Sequence, residues 1–234
     1  SIVALVFLAV AGNEKRAAAG LTRQNWKSAV FIVLLFVGIY IVRTVVSMAG
    51  QGVSDGSGMQ YVKEWAAMFK NPMMWLNIAA LPINYFFVFI AFFGEEYGWR
   101  YYLQPVLQKR FGLRAGVIIL GVVWGLWHIP DDLFYYTQTS GIQMTFAQQI
   151  TCISLGIFFA YAYMKTQNIW VPVCLHYLNN NLIPIISGTF SADVLENQTV
   201  SWKDLPVALV LNGLCFGFFL LADVFKKKEV QEEE

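Results

Sequence analysis

The chain of 234 residues is 57% hydrophobic and 16% aromatic but only 13% charged, where a soluble globular domain carries about 25% charged residues. Its formal net charge of +1 offers no basic surface, so no nucleic-acid partner is expected. The composition points to a polytopic membrane protein in contact with lipid, organised by spans rather than by soluble domains.

Apolar stretches long enough to cross a bilayer, roughly 17–25 residues, follow one another along the chain. They fall at about 28–50, 73–94, 114–130, 146–164, 168–189 and 206–225, after a partial one at 1–12. That first run, SIVALVFLAVAG, lacks the basic region that opens a signal peptide and reads as the end of a span. In lipid each span must satisfy its own backbone polar groups, and these runs are too long for barrel strands. The expectation is an all-α, polytopic transmembrane helical bundle of about seven spans, forming a single membrane domain over 1–234. AGQGVSDGSG (49–58) reads as a flexible connector, and KEWAAMFK (63–70) as a short helix in the interface.

Loop charges set the orientation. Lys15, Arg16, Arg23 and Lys27 lie before the 28–50 span, and Arg100, Lys109, Arg110 and Arg114 cluster at 100–114. Lys165 and the tail lysines 226–228 continue the series. The alternate loops are neutral or acidic: Asp55, Lys63, Glu64 and Lys70, then Asp131 and Asp132, then Asp193, Glu196, Lys203 and Asp204. The basic set is therefore expected in the cytoplasm, C-terminus included, with Arg43 snorkelling to the other surface. Asp131 and Asp132 read as solvated loop charges.

Charge and imidazole inside spans call for a functional reason. The chain has two histidines, His128 and His176, and both fall in apolar segments. Glu95 and Glu96 sit in FFGEEYGWRYY, directly after a run of phenylalanines. Glu96 and Arg100 are i, i+4 and share a helical face, so Arg100 is expected to hold Glu96 charged and fixed. Glu95 lies 100° around the helix and is free to point elsewhere. His176 and Asn180 are also i, i+4, with Pro172 expected to loosen their helix and Pro130 to end the span after His128. Helical rise places His128, His176 and Glu95 about 16–21 Å from the cytoplasmic charges, a shared depth. Counted from Pro72, however, Glu95 is about 35 Å in, so a tilt, a break near Pro105 or a re-entrant 101–112 segment is expected.

Two carboxylates, two histidines and an asparagine suit water activation. Glu95 is the candidate general base, with His128 orienting or deprotonating the water. His176 and Asn180 are candidate donors to a developing oxyanion. Glu95, His128 and His176 also form an acceptable ligand set for Zn²⁺, although no HExxH occurs. No GxSxG occurs either, and Cys152, Cys174 and Cys215 read as inert core residues.

These residues form a recognisable series. EEYGWR (95–100) resembles the EExxxR motif of the CPBP/Abi family of intramembrane proteases, relatives of the type II CAAX prenyl endopeptidases. WGLWH (124–128) resembles their FxxxH motif, with Trp124 in place of phenylalanine, and HYLNN (176–180) resembles HxxxN. YLQPVLQKRFG (102–112) is similar to the stretch that follows EExxxR, and the resemblance covers about residues 75–190. It implies a membrane endopeptidase whose Glu95 and His128 activate water and whose His176 and Asn180 form the oxyanion site. Glu96 and Arg100 would be the structural half of the first motif. The family carries a metalloprotease label, and a metal-free glutamate mechanism is the preferred form here, because two histidines and an asparagine make a poor zinc set. The implied substrate is a prenylated C-terminus or a bacterial leader peptide, in a bacterial plasma membrane. It would enter from the cytoplasmic side or from lipid along a groove of Phe92, Phe93, Tyr97, Trp99, Trp124 and Trp127. The alternative is a non-enzymatic bacteriocin-immunity or scaffold protein using the same pocket for binding. A proton-coupled transporter ranks last, since no inverted repeat is visible.

Overall fold

Apolar residues dominate the chain so strongly that helices form with little of the one-sided patterning of a soluble bundle. In the computed structural model, which describes residues 13–51, 56–188, 194 and 196–226, all regular structure is helical. A short helix α1 (Asn13–Ala18) precedes the long α2 (Trp26–Gln51), and α3 (Gly58–Met68) follows. Then α4 (Pro72–Glu96) runs through a π-helical segment (Tyr97–Leu103) into α5 (Gln104–Phe111). After Gly112 come α6 (Leu113–Trp127), the one-turn α7 (Ile129–Phe134), α8 (Gly141–Thr166) and α9 (Trp170–Ser187). The last is α10 (Asp204–Cys215), followed by 3₁₀ turns. The partial span at 1–12, and the charges at 55, 193, 227 and 228, lie outside the described residues.

Among the described residues, four helical stretches are long and apolar enough to cross a membrane: Trp26–Gly50, Pro72–Phe111, Leu113–Phe134 and Gly141–Thr166. The all-helical transmembrane class is as expected, and of the six expected spans within the described residues four are such helices. The 168–189 segment is a helix, yet His176 and the Asn179–Asn181 run lower its hydropathy. The 206–225 segment is a 12-residue helix that gives way to 3₁₀ turns instead of a full span. Phe31, Leu34, Ile83, Phe86 and Phe87 are each at least 63% exposed, the outward apolar surface a lipid-facing helix needs.

The depth conflict at 95–108 resolves without a break. Residues 72–111 are helical throughout, about 60 Å at 1.5 Å per residue, against a hydrocarbon core of about 30 Å. Pro105 follows the π-helical segment within this continuous helix, so one carbonyl of the preceding turn goes without its helical donor although the helix carries on. Gly112, at φ 89°, turns the chain so that α5 and α6 lie side by side. Pro172 occupies the first turn of α9 and does not loosen it, contrary to expectation. The proline that does interrupt that helix is Pro184, which leaves the Asn180 carbonyl without its helical donor.

Helix ends are tied on two faces. On the basic face, Asn25 Nδ2 donates to Thr166 O at 3.0 Å, Asn168 Nδ2 to Gln24 O at 3.1 Å, and Tyr97 Oη to Ala19 O at 2.9 Å. On the opposite face, Gln198 N donates to Tyr136 O at 2.9 Å, Val200 N to Ser140 Oγ at 3.0 Å, and Trp65 Nε1 to Ile186 O at 2.6 Å. Between them α6 packs closely on α8. A Cβ at Gly121 would lie 2.6 Å from Ile153 Cα, so only glycine permits this approach. Gly121→Ala is expected to lower the thermal unfolding midpoint of the detergent-purified protein, by a destabilisation of about 1–3 kcal/mol. An unchanged midpoint would show that the two helices do not meet there.

Candidate active site

The site is built around a carboxylate that lipid would not tolerate alone. Glu96 is the last residue of α4 and Arg100 lies one π-helical turn further on; both side chains are 0% exposed. Arg100 Nε approaches Glu96 Oε2 to 3.2 Å as an ion pair, and Nη1 donates to Oε1 at 3.4 Å. The guanidinium also sits over the rings of Trp124 (4.8 Å) and Phe159 (5.2 Å). Cation–π contact with α6 and α8 compensates part of its desolvation. Arg100 is thereby fixed on three sides, and Glu96 with it.

Glu96 in turn holds His176. The His176 Nδ1–H donates to Glu96 Oε1 at 2.8 Å, and the ring is packed edge-on by Phe92 and Trp124. A carboxylate on Nδ1 leaves Nε2 as the nitrogen that faces away from it. His128 is fixed in a parallel way. It caps α6, its Nδ1–H donates to Trp124 O at 2.9 Å, and Nε2 is left as the acceptor of the neutral ring.

A cavity of about 320 Å³ joins these groups. Its lining includes His128, His176 and Asn180, with Trp124, Tyr136, Gln148, Cys152 and Gln198. Asn180 is oriented by its neighbour. Tyr40 Oη donates to Asn179 Oδ1, and Asn179 Nδ2 donates to Asn180 Oδ1 at 2.9 Å, which leaves the Asn180 N–H groups for the cavity. Asn181 serves the α4–α9 contact instead, accepting from Asn84 Nδ2 at 3.2 Å.

Of the six residues singled out by the sequence, the structure brings His128, His176 and Asn180 to one cavity and joins Glu96 to Arg100. It adds a link not expected, from Glu96 to His176. Glu95 is half-buried and is not among the lining residues; its Oε2 is buried with no hydrogen-bond partner. Its charge is within reach of Arg100 and of Cys152, whose Sγ is 3.8 Å from His128 Nδ1. Among the described residues, no three His, Cys, Asp or Glu side chains gather as a metal ion would need. Glu95, His128 and His176 in this arrangement therefore do not fit a Zn²⁺ site.

Other cavity residues were missed. Met144, Gln148, Thr151, Cys152 and Leu155 line the cavity from α8, at the 3–4-residue spacing of one helical face. That polar-studded stripe was legible in the sequence. Cys152 is buried in the core, as expected, and also forms part of the cavity wall. Asp132, expected in solvent, is 0% exposed and neither carboxylate oxygen has a hydrogen-bond partner. At the mouth, burial and then the charges of Asp131 and Asp132 hold the Tyr136 hydroxyl above its usual range, so it stays a donor at neutral pH. Of the expected aromatic groove, Trp124 alone lines the cavity. Phe93 and Tyr97 stack instead with Trp170 and Tyr101, and Trp127 is exposed.

With this geometry in view, the comparisons are specific. Residues 75–182 match the family model for the Rce1-like type II CAAX prenyl endopeptidases, a segment that contains all three motifs. Together with helices suited to crossing a bilayer, this defines an integral membrane protein with an Rce1-like core, and the motif resemblance is borne out there. Among curated proteins the chain is similar to CAAX prenyl protease 2 of Methanococcus maripaludis, at 26% identity over 122 residues. That match takes 50% of this chain and 45% of the relative, so the chain spans about half the length of the protein it matches. No solved structure matches.

Removing Arg100 would leave Glu96 a buried charge with a histidine for its partner. Arg100→Met is expected to destabilise the protein by about 3–5 kcal/mol, whereas Asn180→Ala, at an exposed position, leaves the unfolding midpoint unchanged. Thermal unfolding in detergent checks both.

Proposed function

We propose that this protein is an intramembrane endopeptidase that hydrolyses peptide bonds of a membrane-associated protein or peptide, with Glu95 and His128 activating the water. The observation that carries the reading is the convergence of His128, His176 and Asn180 on one cavity, each with its orientation fixed from behind. Water attacks the scissile carbonyl carbon and gives a proton to Glu95, with His128 Nε2 orienting it. The carbonyl oxygen, now negative, accepts from Asn180 Nδ2 and, with the ring carrying a proton on each nitrogen, from His176 Nε2–H. Collapse of the tetrahedral intermediate breaks the C–N bond, and the leaving amine takes the proton from Glu95.

Glu95 is the base by division of labour: Glu96 is already engaged twice, by Arg100 and His176, while Glu95 keeps an unpartnered oxygen near the Cys152–His128 pair. The donor geometry favours the metal-free form. The substrate is a prenylated C-terminus or a leader peptide, the first by likeness to a CAAX prenyl protease. The membrane is a bacterial plasma membrane with the basic face and the C-terminus in the cytoplasm.

In detergent, with cleavage followed by mass spectrometry on candidate prenylated and leader peptides, Glu95→Ala, His128→Ala and His176→Ala are each expected to abolish processing. Asn180→Ala is expected to reduce kcat by about 10²–10³-fold, the worth of one oxyanion donor. Normal cleavage by Glu95→Ala protein would contradict the assignment and favour a binding protein. A chelator is expected to leave the activity intact; loss restored by Zn²⁺ would overturn the metal-free form.

A further inference from the structure

A second concave site lies away from the cavity, between α2 and α10. Its walls are two matching helical stripes. Arg43, Val46, Ser47 and Gly50 come from α2, and Asp204, Val207, Ala208 and Leu211 from α10. Each set is spaced i, i+3, i+4, i+7, which is one continuous helical face. Ser47, Gly50 and Ala208 are small, and the space left between the helices is a groove of about 550 Å³. Val46 and Val207 are exposed along it, so its sides are apolar at the lipid boundary.

Arg43 is the residue in this groove that needs a partner. It lies about 26 Å of helix beyond Trp26, against a hydrocarbon core of about 30 Å. That is the level where hydrocarbon gives way to headgroups. Its Nε is buried with no hydrogen-bond partner, and among the described residues no carboxylate forms an ion pair with it. The guanidinium is 5.7 Å from the ring centre of Tyr40, a contact that leaves its N–H donors unused. An uncompensated charge at such a place is costly. Asp204 lines the same groove but does not neutralise Arg43. Arg43 is within electrostatic reach of Cys215, at the opposite end of α10 from Asp204. Asp204 Oδ2 accepts from Ser201 N at 2.7 Å, which leaves Oδ1 facing outward at an exposed position. A cation and a carboxylate thus mark the two ends of one groove without touching.

We propose that this groove binds a membrane phospholipid with a zwitterionic amine headgroup, its phosphate on Arg43 and its ammonium on Asp204. A phosphate diester gives the guanidinium a charge-assisted, bidentate partner at its own depth. The order along the groove fits. In such a lipid the phosphate is joined to the glycerol and lies nearer the hydrocarbon than the ammonium does. An acyl chain then covers Val46, Val207 and Leu211. A headgroup without an amine leaves Asp204 unmatched. The site adjoins the support of Asn180, because Arg43 covers the ring of Tyr40, whose hydroxyl donates to Asn179. The proposal does not depend on what the cavity hydrolyses.

The test is native mass spectrometry of the detergent-purified protein, titrated with palmitoyl-oleoyl phosphatidylethanolamine or the matching phosphatidylglycerol. The protein is expected to retain a single phosphatidylethanolamine and to bind it more tightly than phosphatidylglycerol. Arg43→Met is expected to weaken binding of both lipids by about tenfold, the worth of a hydrogen bond to a charged group. Asp204→Asn is expected to remove the preference between them. Should Arg43→Met fail to fold, Ala208→Leu, which fills the groove from the other wall, is expected to weaken binding in its place. Unchanged binding by folded Arg43→Met protein, or by Ala208→Leu protein, would overturn the site. Equal binding of the two lipids by the unaltered protein would overturn the headgroup assignment. Displacement of the lipid by inorganic phosphate would reduce the groove to a simple anion site and overturn the lipid reading.

Discussion

Everything in the site hangs from one ion pair buried in apolar surroundings. Glu96 and Arg100 are both fully buried, and neither charge would be stable there without the other. The pair is held by its own ion pair and hydrogen bond, by two aromatic faces and by the imidazole of His176, while Arg100 Nη2 has no hydrogen-bond partner. Through it α4, α6, α8 and α9 share one point, which sets the geometry of His176 to within the tolerance of a hydrogen bond.

The frame around that point explains why the cavity survives in a densely packed bundle. Gly121 lets α6 and α8 touch through their backbones on one side, which brings His128 and Cys152 together. On the other side Pro184 interrupts α9 just beyond Asn180, and Tyr40 on α2 steers the Asn179–Asn180 pair. The π-helical turn at 97–103 matters too. Such turns mark functional distortions in otherwise regular helices, and here it carries the arginine that anchors the site.

Much of this was legible in the amino-acid sequence, for reasons that are physical. Span positions followed from runs of apolar residues, since lipid admits little else, and four predicted spans became long apolar helices. The polar residues stood out because charge in such runs is costly: Glu96 with Arg100, and His176 with Asn180, came from i, i+4 spacing alone. What spacing could not give was partnership between distant segments. The 2.8 Å bond from His176 to Glu96 joins residues 80 apart. Nor could it give depth: a hydropathy count cannot foresee that 72–111 stays helical past the span and turns back only at Gly112. Asp132 was misread because burial depends on how α7 and α8 meet, which local composition does not encode.

Two adjacent glutamates with different tasks are the centre of this account, one fixing the imidazole and the other working on water. The direct measurement is turnover and unfolding midpoint of Glu95→Gln and Glu96→Gln proteins, purified side by side. The account predicts that Glu95→Gln loses turnover with its unfolding midpoint unchanged, while Glu96→Gln loses both turnover and stability. Normal turnover by Glu95→Gln, beside an inactive Glu96→Gln of undiminished stability, would contradict it and make Glu96 the base.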